Sequence, residues 1–294
     1  MIRGIIYILT AALSLAIMGA LIKEIGIGLP TIMIVFSRFL ISVIIMIPVV
    51  LKDKDFSLKV NKPLIIIARC IAGLTGMTLL FYVIKYVPLA NVLLLQNTRP
   101  IFVPIILVIF LGIKTCKSVV LGIIISFIGI AVILNHSSGV FQPIAILALL
   151  AGFCAAVAII LLKRFIKENN NRTQEALFYF FLFSTVVSGV ILPFVWVTPT
   201  LRQIILLILT GLFGTAYQFL MTTSLKYISV RIATPMLYFS VIFGGLISWL
   251  IWNRAMSLEF ITGMIITLMG VLVVVYYSAR ETGKSESLRL KNIK

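Results

Sequence analysis

Side chains able to carry chemistry are few in this chain of 294 residues. Histidine occurs once, as His136, and cysteine three times, as Cys70, Cys116 and Cys154. No two cysteines stand at a ligand spacing and two fall inside apolar runs, so neither a metal site nor a disulfide framework is expected. The eight acids, Glu24, Asp53, Asp55, Glu168, Glu175, Glu259, Glu281 and Glu286, all fall in connecting stretches or at the ends of apolar runs. An enzyme would need a nucleophile with its base, or a metal, and neither can be assembled from this inventory. The fragment Glu281-Thr282-Gly283-Lys284-Ser285 ends like a phosphate-binding loop, yet Ser278 stands where its first glycine belongs and no strand leads into it. No enzyme activity and no cofactor are therefore expected.

What remains is cationic. Arg38, Arg69 and Arg99 lie inside apolar runs, where an ionised group costs several kcal/mol unless paired or hydrated. Arg69 is about 8 Å from the near end of its run and can snorkel to the interface, a structural role. Arg38 is about 12 Å from an end; it either holds neighbouring helix ends through their carbonyls or belongs to a binding site. Arg99 is about 17 Å deep, beside Pro100 and close to Gln96 and Asn97. Its guanidinium either clamps a carboxylate or phosphate of a solute or satisfies carbonyls freed by the proline. Tyr82, Tyr217, Gln218 and Tyr238 complete the candidate binding set, since hydroxyls and amides at depth need partners. Tyr86 and Trp252 read as interfacial. With no carboxylate at the membrane centre, exchange or facilitated diffusion is expected rather than proton coupling, and a pH gradient should change flux little.

The elements that must position these residues are membrane helices. With 62% of residues apolar and 11% charged, the chain is excluded from the soluble globular class. Peptide groups in hydrocarbon must be satisfied internally, so each long apolar run reads as a helix. Ten are expected, over 4–22, 30–51, 64–84, 88–112, 118–134, 143–162, 175–196, 203–225, 230–251 and 258–278. The net charge of +17 would suggest nucleic acid in a soluble protein, but here the cations sort by loop. With a cytoplasmic N-terminus, Arg3 and the clusters after the even-numbered spans fall inside, together with the tail. The outside keeps Lys23, Lys85, Arg202 and Arg254. Both termini are thus expected in the cytoplasm, with the tail free to meet anionic lipid and no nucleic acid as partner.

The second half repeats the first. A shift of 141 residues lays Lys85-Tyr86-Val87 on Lys226-Tyr227-Ile228, Gly73 on Gly214, Phe102 on Phe243, Gly122 on Gly263 and Gly129 on Gly270. A shift of 140 lays Ala12 and Ala16 on Gly152 and Ala156. An odd number of helices per copy places the copies in opposite orientation, an arrangement recurrent in secondary transporters whose site lies between the halves. Pro100 and Pro104 interrupt the fourth span, and Pro235 with Gly244-Gly245 its counterpart, marking expected breaks at the site or at gating bends. Arg38 has only an apolar stretch around Phe178 as its counterpart, so its role is asymmetric.

Arg38, the stretch Tyr82 to Ala90, Pro100, Gly122 and Gly129, followed in the second half by Leu225-Lys226-Tyr227-Ile228, Gly263 and Gly270, resemble the drug/metabolite transporter superfamily, specifically its EamA-type members. The likeness covers Gly4 to about Tyr277. It departs where the family often has glutamate after the fourth and ninth helices, since this chain has Gly112-Ile113-Lys114 and Asn253-Arg254. The resemblance implies an all-α membrane protein of ten transmembrane helices in two inverted five-helix repeats, 1–139 and 140–279, followed by a basic cytoplasmic tail, 280–294. It also implies a secondary transporter in the cytoplasmic (inner) membrane, moving a small metabolite such as an amino acid, a nucleoside-like compound or S-adenosylmethionine. The alternative is a non-transporting structural or accessory membrane subunit. A homodimer is compatible with either.

Overall fold

The computed structural model describes residues 2–52, 56, 62–111, 117–136, 143–169, 173–228, 233, 236–253 and 257–291. Among them there are helices and turns and no strand. The first half holds α1 (Ile2–Ile25), α2 (Thr31–Lys52), α3 (Pro63–Tyr86), α4 (Leu89–Gln96), α5 (Arg99–Leu111) and α6 (Lys117–His136). The second holds α7 (Pro143–Glu168), α8 (Thr173–Ile191), α9 (Leu201–Ser224), α10 (Phe239–Trp252) and α11 (Leu258–Lys291). Eight helical stretches are long and apolar enough to cross a membrane, with α4 and α5 counted as one; Lys117–Val132 and Phe239–Trp252 are shorter. The tenfold count expected from hydropathy is thus eight long crossings and two short apolar helices among the described residues. The basic tail continues α11 as helix to Lys291, in a stretch rich in the helix-favouring residues Ala, Arg, Glu, Lys and Leu.

The largest helix contacts follow one rule. α1 packs on α9 and α3 on α7; α1 also meets α10 while α7 meets α4 and α5; α2 meets α9 while α3 meets α8. α2 with α8, α4 with α10 and α6 with α11 are the other large contacts. Replacing every helix by its counterpart in the other half leaves this set unchanged, the relation that a twofold axis between the halves imposes.

The tightest contact joins α6 and α11. A Cβ placed on Gly122 would stand 2.8 Å from the Gly270 carbonyl oxygen, and one on Gly129 would stand 2.7 Å from that of Gly263. Between them, Ser126 Oγ donates to the Thr267 carbonyl at 3.4 Å. Lipid tails give no hydrophobic reason for two apolar helices to associate, so close backbone approach over small residues supplies the attraction through dispersion. Because the earlier residue of one helix meets the later residue of the other, α6 and α11 run antiparallel. The same crossing recurs between α4 and α10, where Leu93 packs against Gly244 and Asn97 reaches Ser240.

At one end of the bundle, Lys23 Nζ donates to the carbonyls of Ile84 (3.2 Å) and Val87 (2.8 Å) at the C-terminus of α3. Lys85 donates to the Leu29 carbonyl, and Arg202 pairs with Glu24. Three of the four cations assigned to the outer loops therefore tie elements together, Lys23 and Lys85 through free carbonyls at element ends, whose partial negative charge cations complement, and Arg202 through the Glu24 carboxylate.

Candidate functional site

The fourth span breaks where its polar residues gather. α4 stops at Gln96, Asn97 and Thr98 turn, and α5 starts at Arg99. Proline fits the first turn of a helix, where its missing N–H would have no partner anyway, so Pro100 opens α5 instead of kinking a continuous helix. Pro104 lies inside α5 and removes one ladder bond there. The turn is pinned on two sides. Thr98 Oγ1 donates to the Leu95 carbonyl at 2.7 Å, and Asn97 Nδ2 donates to Ser240 Oγ at 2.9 Å and to the Leu237 carbonyl at 3.3 Å. From the other side α7 comes close through Gly152, whose Cβ would stand 2.9 Å from the Leu95 oxygen and 3.1 Å from that of Gln96.

Gln96 and Arg99, flanking the turn, face a small cavity of about 50 Å3. Its wall is completed by Arg69, Gly73, Gly76 and Met77 of α3, by Ala155, Ala158, Ile159 and Leu162 of α7, by Phe180 of α8, and by Tyr217, Gln218 and Met221 of α9. Both halves of the chain contribute. Arg99 Nη2 donates to Tyr217 Oη at 3.2 Å and Nη1 approaches Met221 Sδ at 3.9 Å, while Nε has no partner. The Arg69 guanidinium sits 3.8 Å from the centre of the Phe180 ring, a cation–π contact, with Nε and Nη1 unpartnered. The Gln96 side-chain oxygen is unpartnered as well. Among the described residues no carboxylate lines the cavity.

Of the residues singled out by sequence, this arrangement brings together Arg99, Gln96, Tyr217 and Gln218. Asn97 is buried but points to α10, so it fastens the break and does not line the space. Tyr82 is off the site: it is 38% exposed, its ring tilted against that of Tyr86 with centroids 5.1 Å apart. Thirteen residues beyond Arg69 on the same helix, it lies about 220° round from the cavity face. Tyr238 is buried in the turn before α10 with its hydroxyl unpartnered, away from the cavity wall. Arg38 stands behind the wall, fully buried. Its Nη2 donates to the Gly214 carbonyl at 3.1 Å and its guanidinium lies 4.1 Å from the Phe39 ring centre. Gly214 makes room for it, since a Cβ there would stand 2.8 Å from Arg38 Nε.

Two expectations fail outright. Gly244 and Gly245 do not interrupt α10, which is continuous over Phe239–Trp252; Gly244 instead admits Leu93, whose Cδ1 would lie 2.6 Å from a Cβ. The turn in that span comes earlier, at Leu237 and Tyr238, and Pro235 lies outside the described residues. Arg69 does not snorkel: it is 3% exposed and faces inward. Its stripe mates could have revealed this, because Arg69, Gly73, Gly76 and Met77 follow one another at helical spacing and so share one face. A cation aligned with two glycines marks a side packed closely on protein rather than on lipid: a Cβ on Gly73 would stand 2.7 Å from the Phe180 ring and one on Gly76 3.2 Å from the Ala151 carbonyl oxygen.

The EamA-like transporter family matches this chain over residues 2–135 and again over 142–276. The pseudopaline exporter CntI of Pseudomonas aeruginosa is 26% identical over 277 residues, covering 92% of this chain and 93% of the exporter. The S-adenosylmethionine uptake transporter of Rickettsia bellii is 24% identical over 281 residues, 96% of each chain. The riboflavin transporter of Brucella anthropi is 22% identical over 270 residues, covering 88% and 92%. A solved crystal structure superposes with a TM-score of 0.65 at 18% identity, covering 94% of this chain and 98% of its own. A family signature found twice along a chain of membrane helices assigns it: this multi-pass membrane protein belongs to the EamA-like transporter family.

Proposed function

We propose that the protein is a secondary transporter that carries a small organic metabolite across the cytoplasmic membrane by alternating access, with the cavity beside the α4–α5 break as its solute site. The observation that carries this reading is the composition of the cavity wall: Gln96 and Arg99 of the first half face Tyr217, Gln218 and Met221 of the second. Rocking of one half against the other would therefore open the same residues to either side in turn. The halves are read as two inverted five-helix units, 1–139 and 140–279. The antiparallel crossings of α6 with α11 and of α4 with α10 support that reading, as does the interchangeability of the helix pairs. Both ends are assigned to the cytoplasm on the distribution of Lys and Arg.

Each side chain has a part. Arg99 offers the free edge of a guanidinium to an acidic group of the solute. Tyr217 holds that guanidinium in place by accepting from Nη2 at 3.2 Å. Gln96 and Gln218 present amides for the polar remainder, and the alkyl groups of Met77, Ile159 and Leu162 cover its apolar part. Asn97 ties the break to α10, so that tilting of α5 is coupled to the other half.

The relatives differ in direction, one named an exporter and another an uptake transporter, so the test does not presume one. Purified protein in liposomes preloaded with unlabelled solute should accumulate the labelled form of at least one compound from a panel of amino acids, nucleosides, organic acids and S-adenosylmethionine. Counterflow with none of them, from protein whose folding is verified, contradicts transport and favours an accessory subunit.

A further inference from the structure

Two guanidinium groups on the cavity wall are buried, charged and short of partners. Arg69 and Arg99 are 3% and 4% exposed. Arg69 Nε and Nη1, Arg99 Nε and Gln96 Oε1 are all without a hydrogen bond. Arg69 has the neighbouring Cys70 thiol, a weak neutral partner, and Arg38 is a third fully buried cation nearby. No carboxylate among the described residues lines the space. An arginine held in low dielectric without an anion is costly, and the neighbouring Phe180 ring and Met221 sulfur offset little of that cost. A solute with one acidic group would answer one fork and leave the other unanswered.

Resting on the reading of this cavity as the solute site, we propose that its solute is a small organic molecule carrying two negative charges, one met by Arg99 and the other by Arg69. A donor of the same molecule, a hydroxyl or an ammonium, meets Gln96 Oε1. Two carboxylates or one phosphate monoester provide the charge, since either accepts from planar guanidinium forks. Neutral and cationic solutes are disfavoured because they bring no relief to the paired cations and add repulsion if positive. Arg69 thereby becomes a specificity residue: it separates doubly charged solutes from singly charged ones, while Arg99 is needed for both.

Thermal unfolding of the purified full chain is followed with succinate, L-glutamate and glycerol 3-phosphate against acetate, L-alanine and L-lysine, and the compounds that stabilise are then tested by counterflow in liposomes. The proposal expects stabilisation and counterflow with at least one of the first three and none with L-alanine or L-lysine; succinate and L-glutamate against glycerol 3-phosphate distinguish the carboxylate from the phosphate source. Arg69→Gln should raise the half-saturating concentration of the active doubly charged solute about tenfold or more, the worth of one charge-assisted hydrogen-bonded contact. Arg69→Lys should restore part of it and serves as the folding control. Counterflow of L-lysine or L-alanine at least as strong as that of the doubly charged probes overturns the proposal while leaving transport itself intact. An unchanged half-saturation in both Arg69 variants does the same. Absence of counterflow with every compound of the wider panel removes the transport reading and this proposal together.

Discussion

Substitution of Arg99 by glutamine is expected to lower transport about a hundredfold or more while leaving the protein at least as stable as the parent. The loss follows from the position: Arg99 is 4% exposed, its Nε is unpartnered and its side chain faces the cavity. Removing one partner of a desolvated, hydrogen-bonded charge pair costs about 2–5 kcal/mol in binding, and that energy is worth roughly thirty- to several-thousand-fold in affinity. The stability follows from the same fact with opposite sign. In the absence of solute the charge is uncompensated, so its removal relieves a burial cost and sacrifices only the contacts to Tyr217 and Met221. Arg99→Lys keeps the charge but not the fork, and should fall between the two. Counterflow and melting measured on the same three preparations check the pair of outcomes. A stable Arg99→Gln protein with unchanged transport would show that the arginine merely satisfies the helix break. An unstable one would show that it holds the fold.

Gly270→Ala should be among the most damaging single methyl additions at the described glycines. Its Cβ would stand 2.5 Å from the Ser126 nitrogen and 2.6 Å from the Gly122 carbonyl oxygen, and backbone atoms of a packed helix cannot rotate aside. α6 and α11 must part, and the dispersion and short polar contacts along the crossing go with them. A loss of about 3 kcal/mol is expected, at the upper end for overpacking by one methyl group. Gly28→Ala is the control, because the only neighbour there within 4 Å is the flexible end of Gln203 at 3.2 Å; its effect should stay within about 0.5 kcal/mol. Melting of the two variants in detergent, read by the fraction that remains monodisperse after heating, separates them. Equal stability would deny the glycine contact.

Much of the architecture is legible in the sequence because hydrocarbon leaves a chain so few choices. A long apolar run must be a helix, so the runs and the charged breaks between them locate nearly every element to within a few residues. The shared 141-residue offset brings out Gly122 with Gly263 and Gly129 with Gly270, and these are the glycines that meet across α6 and α11. Rotation about the helix axis is harder to read. In a soluble helix the polar stripe shows which side faces water, but here lipid and protein core are equally apolar, and hydropathy does not separate the two faces. Tyr82 is therefore as good a sequence candidate as Tyr217, and Arg69 passes for an interfacial cation. Glycine is ambiguous for a related reason. It serves bends and close approaches alike, so Gly244 reads as a break although it lies within an unbroken helix against Leu93. Only side chains that combine charge with small neighbours on one face, as Arg69 does with Gly73 and Gly76, carry a signal strong enough to orient a membrane helix by inspection.

The account stands on the cavity being a passage that both sides of the membrane reach in turn. Ala155 lines it and is small enough to become cysteine. In a chain whose Cys70, Cys116 and Cys154 have been replaced, an impermeant thiol reagent should modify Ala155→Cys from the cytoplasmic face in inverted vesicles and from the outer face in intact cells, with a transported solute slowing both reactions. Modification from one face only, under every condition of solute loading, would contradict the central claim.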